Sequence, residues 1–241
     1  MLCSKLIVAN GPFLPLAIIQ ECARGRRIIA LDGAADQLEH RGIKPHIILG
    51  DFDSIKEKPL DTEPFVGRDG ITFIPAPDQN FTDLQKAIQF CDQEGATRID
   101  IVCALGGQID HCEGNIRALT THYRINRPIF IHSEEQTLEY VCDQTIEVNG
   151  IMGDHCGLLA APACSFICEN EGLAWSSDAG KPYVLRYGIT EGTRNRLVKE
   201  KAIIEIKGQA LIVHPPFLKA QREFSALSRV EQLRKLLKEA K

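Results

Sequence analysis

Short apolar runs alternate with amphipathic stretches along residues 1–135, and this rhythm constrains the fold more than any other feature of the chain. Such alternation is typical of βαβ units around a mostly parallel sheet. The predicted strands are Lys5–Ala9, Arg27–Leu31, His46–Leu49, Ile71–Ile74, Ile99–Cys103 and Ile129–His132. The helices predicted between them are Leu16–Arg24, Ala34–His40, Asp83–Asp92 and Cys112–Tyr123. We therefore expect an α/β domain over residues 1–135.

The rhythm changes after residue 135, where strand patterns follow one another without long helices and glycines, Gly208 among them, mark the predicted turns. An all-β, sandwich-like domain is expected over residues 136–241. Its predicted strands are Tyr140–Cys142, Gln144–Val148, Cys156–Ala160, Cys164–Cys168, Tyr183–Arg186, Leu197–Val198, Ala202–Ile206 and Ala210–His214. An apolar stripe predicts a closing amphipathic helix over Ser225–Ala240.

Charge and hydropathy argue against two classes of partner. The formal net charge is −4 and the pI is about 6.0, so no broad basic surface for nucleic acid or an anionic membrane is expected. The first apolar run is cut short by Asn10-Gly11-Pro12, and no run reaches the ~18 apolar residues that a membrane span requires. These features predict a cytoplasmic protein with a small-molecule partner.

The chain has nine cysteines, an odd number without paired spacing, which favours reduced thiols over disulfides. We considered a zinc site at His155, Cys156, Cys164 and Cys168. Their spacing lacks a Cys-x-x-Cys pair, so small buried cysteines in strands are the favoured interpretation.

Acidic motifs follow predicted strands at several places in the first half of the chain. They are Asp32-Gly33, Gly50-Asp51-Phe52-Asp53-Ser54, Asp78-Gln79-Asn80-Phe81-Thr82-Asp83 and Gly106-Gly107-Gln108-Ile109-Asp110-His111. Any one of them alone is as typical of a surface turn as of a functional site. Ligands of open α/β sheets bind outside the carboxyl ends of the strands, so loops that are distant in sequence can meet there. Together the motifs predict one acidic site.

Several carboxylates held close together repel one another unless a cation lies between them. Mg²⁺ prefers oxygen ligands and commonly retains waters and substrate phosphate oxygens. Asp51 and Asp53, two residues apart, would point to the same side of an extended loop. This loop is therefore the predicted magnesium site of a phosphate-transfer enzyme.

Known phosphate-binding motifs are absent: the sequence has neither a Gly-x4-Gly-Lys-Ser/Thr loop nor a Gly-x-Gly-x-x-Gly motif after the first strand. Asn10-Gly11-Pro12 could bind phosphate through backbone N–H groups, or it could be a simple turn between strand and helix. Lys86 lies one helical turn beyond Asp83, where it is expected to neutralise phosphate.

These residues, in this order and spacing, resemble the thiamine pyrophosphokinase family. The resemblance is close in the N-terminal half, where it rests on Asp32-Gly33, residues 50–54, Pro77-Asp78-Gln79 with Thr82, Asp83 and Lys86, and Leu105-Gly106-Gly107 with Asp110, His111 and Asn115. Gly172-Leu173-Ala174-Trp175 and Gly192-Thr193-Arg194-Asn195 are looser versions of the family's second-domain motifs.

The resemblance implies an α/β catalytic domain that binds ATP and Mg²⁺, a β-sandwich that binds thiamine, and a homodimer with active sites at the subunit interface. The implied reaction transfers the diphosphoryl group of ATP to the thiamine hydroxyl and releases AMP. Asp51, Asp53 and Asp83 would then handle Mg²⁺ and the phosphates, and Asp32, Gln79 and Asp110 would complete the polar site. Either Asp110 or Asp83 could accept the hydroxyl proton.

Thiamine is a cationic aromatic, so an indole face suits it through stacking and cation–π attraction. The resemblance implies that Trp175, the only tryptophan, holds thiamine together with Asn195. Packing in the core is the alternative role for Trp175, because tryptophans bury a large area.

The chain departs from the family pattern at two positions. Gln108 stands where the family usually has an arginine after the double glycine, and Arg194 stands where it usually has a serine. Our hypothesis is that Arg194 reaches the phosphates and restores the missing positive charge; the alternative is a solvated loop arginine.

Two rival functions differ from diphosphate transfer to thiamine. One is a diphosphokinase of the same fold that acts on another hydroxyalkyl heterocycle, such as a pterin. The other is a nucleotide- or thiamine-binding protein with weakened catalysis, for which only Gln108 argues.

Overall fold

A computed structural model describes residues 3–52, 63–67, 69–161, 165–175, 183–189 and 192–216. The chain divides into two compact units. The first consists of residues 1–134 with Leu138–Val141, and the second of Glu135–Thr137 with Cys142–Lys241. The predicted closing helix over Ser225–Ala240 lies outside the described residues.

The first unit is built on a mostly parallel sheet of β1 (Ser4–Val8), β2 (Arg27–Leu31), β3 (Ile47–Gly50), β4 (Phe65–Val66), β5 (Thr72–Pro75), β6 (Arg98–Val102) and β7 (Ile129–His132). Neighbouring strands follow the order β7-β6-β1-β2-β3-β5-β4. Strand β4 runs antiparallel to β5. The helices are α1 (Leu16–Ala23), α2 (Ala34–Glu39), α3 (Asp83–Gln93) and α4 (Ile109–Thr121). This architecture confirms the predicted α/β class.

The core of the first unit explains why its central strands read as nearly continuous apolar runs. In β1 the side chains of Leu6, Ile7 and Val8 are all fully buried, as expected for a parallel strand covered on both faces. Helix α3 turns Leu84, Ala87, Ile88 and Cys91 inward at helical spacing.

The described part of the second unit consists of β-strands and their connections, as predicted. Strand β8 (Thr137–Asn149) contributes Leu138–Val141 to the first unit and its later residues to the second. The remaining strands are β9 (Gly157–Ala160), β10 (Ser165–Glu171), β11 (Tyr183–Arg186) and β12 (Lys201–His214). Strand β10 pairs antiparallel with β11 and β12, and β9 pairs antiparallel with β12.

One predicted turn in the second unit is wrong. Gly208 lies inside the long strand β12, where it pairs with Phe166 of β10. Its φ of 117° is available to glycine, and its N–H donates a hydrogen bond to the Asp143 carboxylate at 2.7 Å. The glycine therefore marks an irregularity within a strand rather than its end.

Among the described residues, no helix is long and apolar enough to cross a membrane.

Candidate functional site

A cavity of about 730 Å³ opens at the carboxyl ends of β1, β2, β3 and β6, which are neighbours in the sheet of the first unit. Loops that leave parallel strands at this edge converge. Every described first-half residue proposed for the site lines the cavity: Asp32, Asp51, Gln79, Thr82, Asp83, Lys86, Gln108, Asp110 and His111. Asn115 and the Asn10-Gly11-Pro12 turn line it as well. Asp53 lies outside the described residues.

The backbone is not extended at Phe52, directly after Asp51, whereas the sequence argument assumed an extended loop from Asp51 to Asp53; Asp53 itself lies outside the described residues. Phe52 has a left-handed backbone with a φ of 56°. Its side chain is 2% exposed and packs edge-to-face on Phe73, with 6.0 Å between ring centroids. Burial of the ring requires the chain to turn immediately after Asp51, which overrides the extended geometry that an alternating acidic pattern suggests.

Strained backbone conformations collect at this edge of the sheet. Asp32 follows β2 with a φ of 33°, Phe52 follows β3, and Cys103 follows β6 with a φ of 60°. Among the described non-glycine residues, only Asp143 shares a positive φ with these three. Left-handed conformations of such residues cost about 1–3 kcal/mol each and concentrate at functional sites. Their placement supports the cavity as the place where this chain does its chemistry.

Two of the acidic motifs touch each other. The Gln79 side-chain amide donates a hydrogen bond to the Asp51 carboxylate at 3.3 Å, across 28 residues of sequence. A hydrogen bond between backbone groups links the same segments, since Ala76 N–H donates to the Gly50 carbonyl at 2.8 Å. The motifs after β3 and β5 thus form one wall.

Helix α3 begins at this wall with a complete capping box. The Thr82 hydroxyl accepts from Gln85 N–H at 3.3 Å, and the Gln85 side chain accepts from Thr82 N–H at 3.1 Å. Asp83 in the first turn benefits from the positive end of the helix dipole. Lys86 is only 9% exposed, and its ammonium donates to Asp83 Oδ1 at 3.0 Å and to the Ala76 carbonyl at 2.7 Å. The lysine charge is thereby fixed beside the cavity.

Helix α4 begins at Ile109, three residues before the predicted start at Cys112. Gln108 has an extended backbone and serves as the N-cap residue, although its side chain makes no capping hydrogen bond. Asp110 therefore sits in the first helical turn, where its Oδ1 accepts from His111 N–H at 2.9 Å. The helix therefore includes Ile109, Asp110 and His111, which lie before the predicted start, and a carboxylate in its first turn interacts favourably with the helix dipole.

The Asn10-Gly11-Pro12 turn is held tightly by the strand end next to it. Gly11 N–H donates to the Cys103 carbonyl at 3.0 Å, and a Cβ atom at position 11 would lie 2.4 Å from that oxygen. Glycine is therefore the only residue that fits there. Burial raises the pKa of the Cys103 thiol to about 11, so this sulfur stays protonated at neutral pH and contributes packing, not reactivity.

In the second unit, Trp175 is 54% exposed, which argues against the core-packing alternative. Asn195 is 1% exposed, and its side chain binds the Trp175 backbone on both sides. Its Oδ1 accepts from Trp175 N–H at 3.1 Å, and its Nδ2 donates to the Trp175 carbonyl at 3.0 Å. Arg194, next to it, is exposed.

Of the four residues considered above as a zinc site, His155 and Cys156 are described with their side chains. Both ring nitrogens of His155 are engaged, one with the Thr193 carbonyl at 2.6 Å and the other with the Gln136 side chain at 3.1 Å. Cys164 lies outside the described residues. Within those residues, no three His, Cys, Asp or Glu side chains form a ready-made metal cluster.

Comparison with known proteins identifies one matching family model and several similar sequences. Residues 20–131 match the family model described as thiamin pyrophosphokinase, catalytic domain. Thiamine pyrophosphokinase 3 of Oryza sativa subsp. japonica is 27% identical over 216 residues, which cover 82% of this chain and 78% of the relative. Thiamine pyrophosphokinase 2 of Arabidopsis thaliana is 32% identical over 170 residues, 66% of this chain and 61% of the relative.

Solved structures share the fold. Thiamine pyrophosphokinase from Bacillus subtilis aligns with a TM-score of 0.74 at 20% identity, covering 89% of this chain and 100% of the other. Yeast thiamin pyrophosphokinase aligns with a TM-score of 0.71 at 17% identity, covering 92% of this chain and 88% of the other.

Proposed function

We propose that the chain is a member of the thiamine pyrophosphokinase family whose aspartate-lined cavity binds ATP with Mg²⁺ and transfers a diphosphoryl group to thiamine. The products would be thiamine diphosphate and AMP. The observation that carries this proposal is the convergence of motifs from four strand ends on one cavity of about 730 Å³. That volume falls within the usual range for a small-molecule site, about 300–1,000 Å³.

The chemistry of the cavity wall fits Mg²⁺. Asp51 and Asp83 offer hard carboxylate oxygens on the same cavity, and Asp53, outside the described residues, would add a third. Bound there with ATP, the ion would neutralise phosphate charge. We assign Asp51, Asp53 and Asp83 as the residues that hold it.

Lys86 is suited to the phosphates of ATP. An ammonium group has three donors, and the Ala76 carbonyl and the Asp83 carboxylate occupy two of them. The third remains for a phosphate oxygen. Gln79, Thr82, Gln108 and His111 supply further polar groups on the same cavity and would complete the phosphate contacts.

We assign Asp110 as the group that accepts the thiamine hydroxyl proton. Asp83 is paired with the Lys86 ammonium at 3.0 Å, and it is one of the carboxylates assigned to Mg²⁺ above. Asp110 has no cationic partner among the described residues, and it lines the same cavity. Of the two carboxylates, Asp110 is therefore the one that is not already engaged by a cation or by the proposed metal.

We further propose that Trp175 stacks on thiamine and that Asn195 acts through it. The exposed indole offers an aromatic face to a cationic ring. The side-chain oxygen and nitrogen of Asn195 both form hydrogen bonds with the Trp175 backbone, so Asn195 positions the tryptophan instead of binding substrate. The family resemblance also implies a homodimer with active sites at the subunit interface, which light scattering of the purified protein can test.

The test of this assignment is Asp51→Asn. Loss of one carboxylate should reduce turnover of ATP and thiamine by about 10²-fold or more, since groups that stabilise transition-state charge contribute on that scale. The Mg²⁺ concentration for half-maximal rate should rise as well. Asp36→Asn, an exposed aspartate of α2 that does not line this cavity, is the matched control. Unchanged turnover in Asp51→Asn would remove this carboxylate from the mechanism.

The same enzyme preparation separates thiamine from other acceptors. Thiamine and a hydroxymethylpterin are offered in parallel with ATP and Mg²⁺, and diphosphorylated product is measured for each. Turnover of the pterin alone would assign the rival substrate. Tight thiamine binding without turnover would identify a binding protein.

A further inference from the structure

The loop between β6 and α4 has a backbone that only glycine tolerates well. Gly106 and Gly107 have φ values of 91° and 79°, and both line the cavity. A Cβ atom at Gly106 would lie 3.1 Å from Pro12 Cγ, so the loop rests directly against the turn after β1. Two walls of the proposed ATP site therefore meet at Gly106.

A single sulfur atom holds Gly106 in this conformation. The Cys112 thiol accepts a hydrogen bond from Gly106 N–H and donates one to the Gly106 carbonyl, both at 3.1 Å. Cys112 lies in α4 and is half-buried. A left-handed residue has few partners within its own segment, and here one side chain satisfies both of its backbone groups.

The peptide groups that follow are left for a ligand. Gly106 N–H is occupied by sulfur, whereas Gly107 and Gln108 donate no backbone hydrogen bond to any other described residue. They lie at the N-terminus of a helix that runs from Ile109 to Thr121. Backbone N–H groups at such a terminus attract phosphate.

We propose that Cys112 is a positioning residue of the ATP site: its thiol locks Gly106 so that the Gly107–Gln108 backbone is held ready for the ATP phosphates. This role rests on the proposed function, because it presumes that the cavity takes ATP. It assigns no reactivity to the sulfur. The thiol acts only through the loop that it holds.

The experiment compares native protein with Cys112→Val and Cys112→Ser. Valine is similar in size to cysteine but cannot form hydrogen bonds, whereas serine keeps a donor and an acceptor. Cys142→Val is the matched control, because Cys142 is also half-buried and its thiol contacts the neighbouring Asp143, but it belongs to the second unit. Isothermal titration calorimetry measures the Kd of α,β-methylene-ATP with Mg²⁺, and steady-state kinetics gives KM for ATP and for thiamine.

Cys112→Val should raise the Kd of the analogue and the KM for ATP by about 3- to 10-fold, the effect of losing one or two modest hydrogen bonds. The KM for thiamine and the melting temperature should stay near the native values. Cys112→Ser should recover most of the ATP affinity, and Cys142→Val should match the native protein.

Native affinity in Cys112→Val would overturn the proposal, as would equal losses in the valine and serine variants, since the effect would then be steric. A lower melting temperature without a change in Kd would show a purely structural role. If the native protein fails to bind the analogue, the proposed function itself is contradicted, and the role of Cys112 fails with it. Binding of the analogue without turnover of thiamine would leave the Cys112 proposal supported and the choice of acceptor refuted.

Discussion

The Lys86 ammonium lies 3.0 Å from the Asp83 carboxylate, one helical turn away along α3. The same ammonium donates to the Ala76 carbonyl at 2.7 Å, which ties α3 to the segment that follows β5. With 9% of its surface exposed, Lys86 cannot be regarded as a solvated helix lysine. Its charge is a fixed part of the cavity wall.

Lys86→Met should lower kcat/KM for ATP by about 10²-fold or more, because a preorganised cation beside transferring phosphate is lost. Lys44→Met is a suitable control, since Lys44 also donates to a backbone carbonyl, that of Asp69, but does not line this cavity. Steady-state kinetics at varied ATP measures the effect. Equal activities of the two variants would show that Lys86 has no role in phosphate binding.

Trp175 provides an optical test of thiamine binding, because it is the only tryptophan and is 54% exposed. Thiamine should change its fluorescence, and Trp175→Ala should raise the KM for thiamine by about 2- to 30-fold, the range expected for a cation–π contact. Asn195→Ala should weaken thiamine binding as well, since the Trp175 backbone loses its two hydrogen bonds with Asn195 and keeps only the one that Asn170 donates to its carbonyl. Saturable thiamine binding that leaves the fluorescence unchanged would rule out stacking on this indole.

Gln108 and Arg194 can be tested together. If Arg194 supplies the charge that Gln108 lacks, Arg194→Ala should raise the KM for ATP by roughly 10-fold, on the scale of a hydrogen bond to a charged group. Adding Gln108→Arg to that variant should restore the affinity for ATP, because it places a positive charge at a position that lines the cavity. An unchanged KM in Arg194→Ala would identify a solvated loop arginine.

Replacement of Asp100, which lies outside the site, should have a large effect on the free energy of unfolding. Its carboxylate is fully buried and accepts hydrogen bonds from Arg98 at 2.8 Å and from His132 at 2.7 Å, while Arg26 lies 2.9 Å away. Burial opposes its charge, but the hydrogen bonds from Arg98 and His132 outweigh burial and hold its pKa below the ordinary value. Asp100→Asn should lower the free energy of unfolding by about 3–5 kcal/mol in urea denaturation, because two arginines lose their counter-charge.

Stability should also fall on mild acidification. Burial lowers the pKa of His132, and it lowers those of His46 and His122 as well. The unfolded chain takes up these protons near pH 6.5 while the folded chain resists them, so the free energy of unfolding decreases as the pH falls below about 6.5. His132→Gln should reduce this slope between pH 7 and pH 5. The slope should not vanish, since the other two histidines remain.

The sequence predicted the arrangement of the first unit well because parallel strands buried on both faces leave a clear apolar signal. Predicted strand Arg27–Leu31 matches β2 from end to end, and the other central strands differ by about one residue. The convergence of the acidic motifs followed from the same rule, since parallel strands end at one edge of the sheet.

The details that shape the cavity depend on contacts that sequence spacing does not reveal. The left-handed turn at Phe52 follows from burial of its ring against Phe73, a residue of a different strand. Likewise, the contacts of Cys112 with Gly106 depend on where α4 begins. No pattern of residue types would distinguish this cysteine from one that merely packs.

Product analysis tests the central claim most directly. Purified protein is incubated with Mg²⁺, thiamine and ATP labelled at the γ-phosphate, and the products are separated by chromatography. Diphosphoryl transfer predicts label in thiamine diphosphate and an equal amount of unlabelled AMP. Label in thiamine monophosphate accompanied by ADP, or release of phosphate without any phosphorylated thiamine, would contradict the assignment.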